Sequence, residues 1–93
     1  MMFYVSADGV ETAREACERL QSKDLDNCYI SPLTSICCLS NKAVTDDAKN
    51  ALRLDMLSVC DVLLVASEVS KEMQEEIDFA RLVGMEVRIL ENR

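Results

Sequence analysis

Residues 60–90 read CDVLLVASEVSKEMQEEIDFARLVGMEVRIL, and this stretch decides the fold. Asp61 to Ala66 is a short apolar run of the kind found in a strand covered on both faces. Val87-Arg-Ile-Leu90 is a second such run. Between them the spacing predicts a helix from about Ser70 to Val83. Ser70 suits the N-cap, and Glu72, Glu75 and Glu76 place negative charge near the positive end of the helix dipole. Gly84 stands where helices commonly stop.

Projected at about 100° per residue, Met73, Ile77, Phe79, Ala80, Val83 and Gly84 fall on one stripe of that helix. Glu76 falls inside it, between Met73, Ala80 and Val83, whereas Gln74, Asp78 and Arg81 face the other way. A carboxylate within an apolar face must be paired or hydrogen-bonded, and a group so placed can be functional. The structural alternative is that Glu76 borders the stripe and reaches water or an arginine.

The pattern Ser70-x-x-Met73-x-x-Glu76-Ile77-x-x-Ala80-x-x-x-Gly84-x-x-Val87, preceded by Cys60-Asp61 and an apolar strand, resembles the C-terminal signature of the nucleoside 2-deoxyribosyltransferase-like superfamily. It is most similar to the short bacterial and phage domains of that group. The resemblance covers the last 40 or so residues well and the first half loosely. It implies that Glu76 is the nucleophile that attacks the anomeric carbon of deoxyribose, and that the protein is a homodimer. Active transferases often carry an aspartate where this chain has Ser70, so one expected proton donor is absent.

Upstream, Thr45 or Asp46 caps a helix predicted to run to about Val59, with Asp46 and Asp47 in its first turn. Ala48, Ala51, Leu52, Met56 and Val59 form its stripe, and the same projection places Asp55 inside it. Two helices would then each carry one carboxylate in an apolar face. Paired carboxylates with separated pKa values are how glycosyl transfer is run, one forming the covalent bond and the other handling the proton. Asp55 is therefore a catalytic candidate beside Glu76. Its structural alternative is a cap on a neighbouring loop, or a pair with Arg53 or Arg88. Relatives tend to have an aspartate in this helix and another before the following strand, where this chain has Asp61. Asp61 is a third candidate and equally an ordinary strand-start residue.

At the other end, Phe3 to Ser6 reads as a strand, and Ser6-Ala-Asp-Gly9 as a turn. Asp8, with Glu11 three residues on, has the form of a capping box for a helix over about 10–22. A helix N-terminus directly after a strand is where an open α/β sheet holds a phosphate or carboxylate. The loop has one glycine and is no dinucleotide fingerprint. Relatives usually have a Ser-Gly-Pro-like turn here, which this chain lacks. Asn27 to Ser31 is a weaker strand, ended by Pro32. Residues 32–44 show no clear period and are either a lid or binding loop, or a short helix packing on the sheet or on a second subunit.

Ninety-three residues form one domain, 1–93, able to bury a modest core. No apolar run approaches the ~18 residues of a membrane span, and the first residues lack the basic region of a signal peptide, so a cytoplasmic protein is expected. The net charge of −7 repels a nucleic-acid backbone, and no local basic patch offsets it. The chain has no histidine and no Cys-x-x-Cys among Cys17, Cys28, Cys37, Cys38 and Cys60. No metal site or other cofactor is therefore expected. Cys17 and Cys60 fit apolar patterns, and the vicinal Cys37-Cys38 pair has no basic neighbour to activate it.

The alternation of elements implies a three-layer α/β domain with a four-stranded parallel sheet in the order 2-1-3-4, Rossmann-like or flavodoxin-like. The site is then expected where the order reverses, at the C-terminal ends of the first and third strands. Candidate substrate contacts there are Ser6, Asp8, Gly9, Ser67, Ser70 and Met73. The expected activity is cleavage or transfer of the N-glycosyl bond of a 2-deoxyribonucleoside or its 5′-monophosphate, with Asp55 or Asp61 assisting the leaving base. Two alternatives stand beside it: a nucleotide- or nucleoside-binding module without turnover, and an unrelated α/β interaction domain.

Overall fold

The computed structural model describes residues 1–35 and 43–90. Its elements run β1 (Met2–Ser6), α1 (Val10–Lys23), β2 (Cys28–Ile30), α2 (Pro32–Ser35), α3 (Asp46–Ser58), β3 (Val62–Val65), α4 (Lys71–Leu82) and β4 (Glu86–Ile89). The four strands form one sheet in the order β2-β1-β3-β4, and every neighbouring pair is parallel. Phe3 pairs in register with Tyr29 on one side and Val62 on the other, and Leu63 pairs with Val87. This is the expected order. It follows from short apolar strands joined by crossovers long enough to hold a helix.

Side chains alternate across the sheet and build two cores. Phe3, Val5, Val62 and Leu64 point to one face, where Ala13 and Ala16 of α1 cover them. Tyr4, Leu63 and Val65 point to the other, under Leu57 of α3 and Met73, Ile77 and Ala80 of α4. The central strand β3 is buried along its whole length, as its unbroken apolar run requires. Cys60 is buried and Cys17 half-buried, in keeping with their apolar settings.

The ends of α4 follow from local chemistry. Ser70 Oγ accepts the Met73 N–H at 3.3 Å and caps the helix. At the other end Gly84 has φ +77, Met85 N–H donates to the Ala80 carbonyl, and Gly84 N–H to that of Arg81. These two bonds make a Schellman stop, which needs a residue at positive φ. Thr45 Oγ1 caps α3 by accepting the Ala48 N–H at 3.2 Å. The start of α1 differs from the expected capping box. Its N-cap is Gly9, at φ +94, and no side chain caps it. The extra residue of turn carries Asp8 away from the helix end, and the Asp8 N–H donates to Ser67 Oγ instead.

The expectation for residues 32–44 resolves in part. Pro32–Ser35 is a single helical turn, consistent with proline at a first helical position. Residues 36–42, including Cys37 and Cys38, lie outside the described residues. Among the described residues no helix is long and apolar enough to cross a membrane.

Candidate functional site

Tyr4 and Ser6 are two residues apart on β1, so both point to the face covered by α3 and α4. Glu76 projects from α4 onto the same face and meets both. Ser6 Oγ donates to Glu76 Oε1 at 2.8 Å, and the Tyr4 hydroxyl donates to Glu76 Oε2. Glu76 is only 4% exposed. The stripe projection therefore places it correctly, and two hydroxyls hold it. Each carboxylate oxygen accepts one bond and keeps a further lone pair.

Burial is the largest influence on Glu76 and raises its pKa above the usual carboxylate value. The hydrogen bonds from Tyr4 and Ser6 and the charge of Arg53 act in the opposite sense, and the net shift remains upward. Burial, followed by the Glu76 charge beside it, holds the Tyr4 phenol far above its ordinary value, so Tyr4 is a fixed donor.

A cavity of about 200 Å³ opens beside Ser6 and Glu76. Its walls come from the C-terminal end of β1, the β1–α1 turn, Ser31 to Leu33, and the start of α4. It lies at the carboxyl ends of the strands, where an open α/β sheet places its ligands. Ser6, Asp8, Gly9, Ser70, Met73 and Glu76 all line it. At one end it reaches Gly9 and Val10, the start of α1, whose first N–H groups no side chain caps. Such a helix end favours an anionic or strongly accepting group.

Three sequence candidates are placed elsewhere. Ser67 lies behind the cavity wall, where its Oγ accepts the Asp8 N–H at 2.9 Å and lies 3.5 Å from Met73 Sδ. Asp61 sits at the opposite end of the sheet, its Oδ2 accepting the Met2 N–H at 2.7 Å. Met2 begins the strand that Ser6 ends, so Asp61 and Glu76 are separated by its length. Asp55 is exposed, which corrects the projection that set it in an apolar stripe. The buried residues of α3 are Arg53 and Leu57, and Asp55 stands roughly 200° around the helix from Arg53. The helix turns its Ala48–Ala51 side outward because its inner face gives Leu57 to the core and Asn50 and Arg53 to the cavities.

Arg53 and Tyr4 were not among the sequence candidates. Arg53 is 9% exposed and lines the cavity beside Glu76. Its Nη2 donates to Asn50 Oδ1 at 2.6 Å and lies 3.4 Å from Glu75 Oε2. Its Nε and Nη1 make no hydrogen bond among the described residues. A second cavity of about 340 Å³ adjoins the first and shares Leu33, Arg53 and Glu72 with it. The signal for Arg53 was its i, i+4 spacing to Leu57, the one large aliphatic residue on that side. The signal for Tyr4 was a hydroxyl on a strand that had to be buried, because a buried tyrosine hydroxyl needs a partner.

The arrangement supplies a buried carboxylate oriented from behind by a phenol, a guanidinium whose Nε and Nη1 bond no described residue, and a helix N-terminus without a side-chain cap beside one small cavity. Among the described residues no group of three Cys, Asp or Glu side chains could hold a metal ion. Comparison of the chain and its structure with family models, curated proteins and solved structures finds no match.

Proposed function

We infer that the protein cleaves the N-glycosyl bond of a 2-deoxyribonucleoside or its 5′-monophosphate, with Glu76 as the nucleophile. The observation that carries this reading is a carboxylate buried on a cavity wall and held at both oxygens by Tyr4 and Ser6. The resemblance of residues 60–90 to the deoxyribosyltransferase-like superfamily points to the same glutamate.

In this reading one oxygen of Glu76 attacks C1′, and the C1′–N bond breaks with its electron pair leaving on the base. Arg53 lines the cavity, its Nε and Nη1 bond no described residue, and these donors stabilise the negative charge that builds on the base. The departed base takes its proton from water. Asp55 and Asp61 do not line the cavity, and Arg53 does. Water, or a second base, then attacks C1′ and returns Glu76 to its free carboxylate. The uncapped start of α1 receives the 5′ hydroxyl or phosphate. The first cavity lies below the ~300 Å³ of typical ligand pockets, so it suits the sugar, while the adjoining cavity beyond Arg53 takes the base.

Neither Asp55 nor Asp61 reaches the cavity, which favours a second reading, a nucleoside-binding module without turnover. One experiment separates the two. Deoxyribonucleosides and their monophosphates are incubated with the parent protein and with Glu76→Gln, free base is followed by chromatography, and acid-quenched protein is weighed by mass spectrometry. The enzyme reading expects base release and a deoxyribosyl adduct from the parent alone. Ligand-induced thermal stabilisation of both proteins without base release would select the binding module.

A further inference from the structure

β4 is an edge of the sheet, and what it presents there is self-complementary. The Leu90 N–H donates to the Val65 carbonyl at 2.8 Å. Alternation along the strand then turns the polar backbone groups of Arg88 and Glu86 toward β3, and those of Val87 and Ile89 outward. Side chains alternate as well. Val87 lies on the α3 and α4 face of the sheet, whereas Arg88 lies on the α1 face, 5.8 Å over the Phe3 ring. Glu86 shares that second face and accepts from Arg88 Nε. Ile89 of the same strand is 75% exposed.

We propose that this edge pairs with the β4 of a second copy, antiparallel, about a two-fold axis at Val87. The axis sets Val87 against Val87 as a hydrogen-bonded pair, because its backbone groups are the ones that face outward. Glu86 of each copy then falls opposite Arg88 of the other. That is a non-hydrogen-bonded position, where facing side chains approach most closely. Ile89 falls opposite Met85. The four charges form an alternating cluster on one face of the joined sheet, and Met85, Val87 and Ile89 of the two copies meet on the other.

Charges on an edge strand ordinarily prevent such pairing. Here the two have opposite sign at positions i and i+2, so they select one register instead. Moving the axis one residue either way sets Glu86 against Glu86 or Arg88 against Arg88. An isologous interface must be complementary to itself under its two-fold axis, and this one is. The occupant is therefore a second copy of this chain rather than an unrelated strand.

The test is the solution mass of the full chain by light scattering after gel filtration, with charge variants. The parent should elute at twice its 10.4 kDa. Arg88→Glu and Glu86→Arg should each be monomeric, because each sets like charges against one another. The doubly exchanged protein, Glu86→Arg with Arg88→Glu, should regain the dimer, since reversing both signs restores the match. Mixing the two single variants should yield a mixed dimer. Recovery in the double variant also shows that losing the Arg88 contact with Phe3 does not itself unfold the chain. A monomeric parent, a dimer indifferent to the single changes, or a double variant that stays folded and monomeric would each overturn the proposal.

Discussion

Tyr4 and Glu76, 72 residues apart in the chain, meet in the core through a hydrogen bond from the phenol to a carboxylate oxygen. The bond joins the first strand to the middle of the last helix and fixes which way the carboxylate faces. It also resists, without cancelling, the upward shift that burial imposes on Glu76. Tyr4→Phe should therefore raise the Glu76 pKa further. If Glu76 is the nucleophile, the acidic limb of the pH–rate profile should move to higher pH. The variant should also lose about 1.5–3 kcal/mol of stability near neutral pH, the usual worth of a hydrogen bond to a charged group. Denaturant unfolding and a pH profile measured together would check both.

The raised pKa of Glu76 fixes the sign of a stability effect. The unfolded carboxyl ionises near its ordinary 4.5, and the folded one ionises higher. Between those values the unfolded state holds fewer protons, so stability falls as pH rises through that window. Glu76→Gln removes the effect, because an amide does not ionise. Its melting temperature should match or trail the parent below the window and overtake it above. Parallel melts across pH would reveal the crossing, and a constant difference would exclude it.

Arg53 lowers the Glu76 pKa by its charge. Arg53→Met keeps most of the side-chain volume and removes that charge. Base release should fall, and its acidic limb should move upward as in Tyr4→Phe. Asp55→Asn and Asp61→Asn should leave release unchanged, since neither aspartate lies at the cavity. Loss of activity in Asp55→Asn with Arg53→Met unaffected would contradict the placement of α3.

The two glycines give a controlled comparison. A methyl group at either position meets nothing within 4 Å, so alanine there acts through the backbone alone. Gly9 is at φ 94, ψ 154, a region essentially reserved for glycine, and Gly84 is at φ +77. Gly9→Ala should cost about 1–3 kcal/mol and weaken ligand binding, because the turn shapes the start of α1. Gly84→Ala should cost about 1–2 kcal/mol and leave binding intact. Unfolding curves beside a ligand titration distinguish the two effects.

How far the sequence could be read follows from these residues. The strand order and the limits of α4 were legible because Val62 to Val65 form an unbroken apolar run, Ser70 can cap and Gly84 can take positive φ. Glu76 was legible as a polar intrusion in a helical stripe. The orientation of α3 was not. Its inner face carries Asn50 and Arg53 toward the cavities, so an apolar count selects the wrong side. Local rules fail in this way where a site overrides them. Tyr4 was hidden because tyrosine is ordinary in a strand, and nothing nearby in sequence marks its distant partner. The capping box at Asp8 failed because one extra residue of turn, at Gly9, separates it from the helix.

The bond between Ser67 and the amide of Asp8 joins two loops just beyond the last backbone bond between their strands, from the Ala66 N–H to the Ser6 carbonyl. One leads into α1 and the other into α4, which carries Glu76. The Asp8 amide lies in an exposed turn, yet it can exchange its hydrogen with solvent only when that bond opens. Its exchange rate would therefore time the parting of the two loops, reporting from outside the cavity how often the cavity wall comes apart.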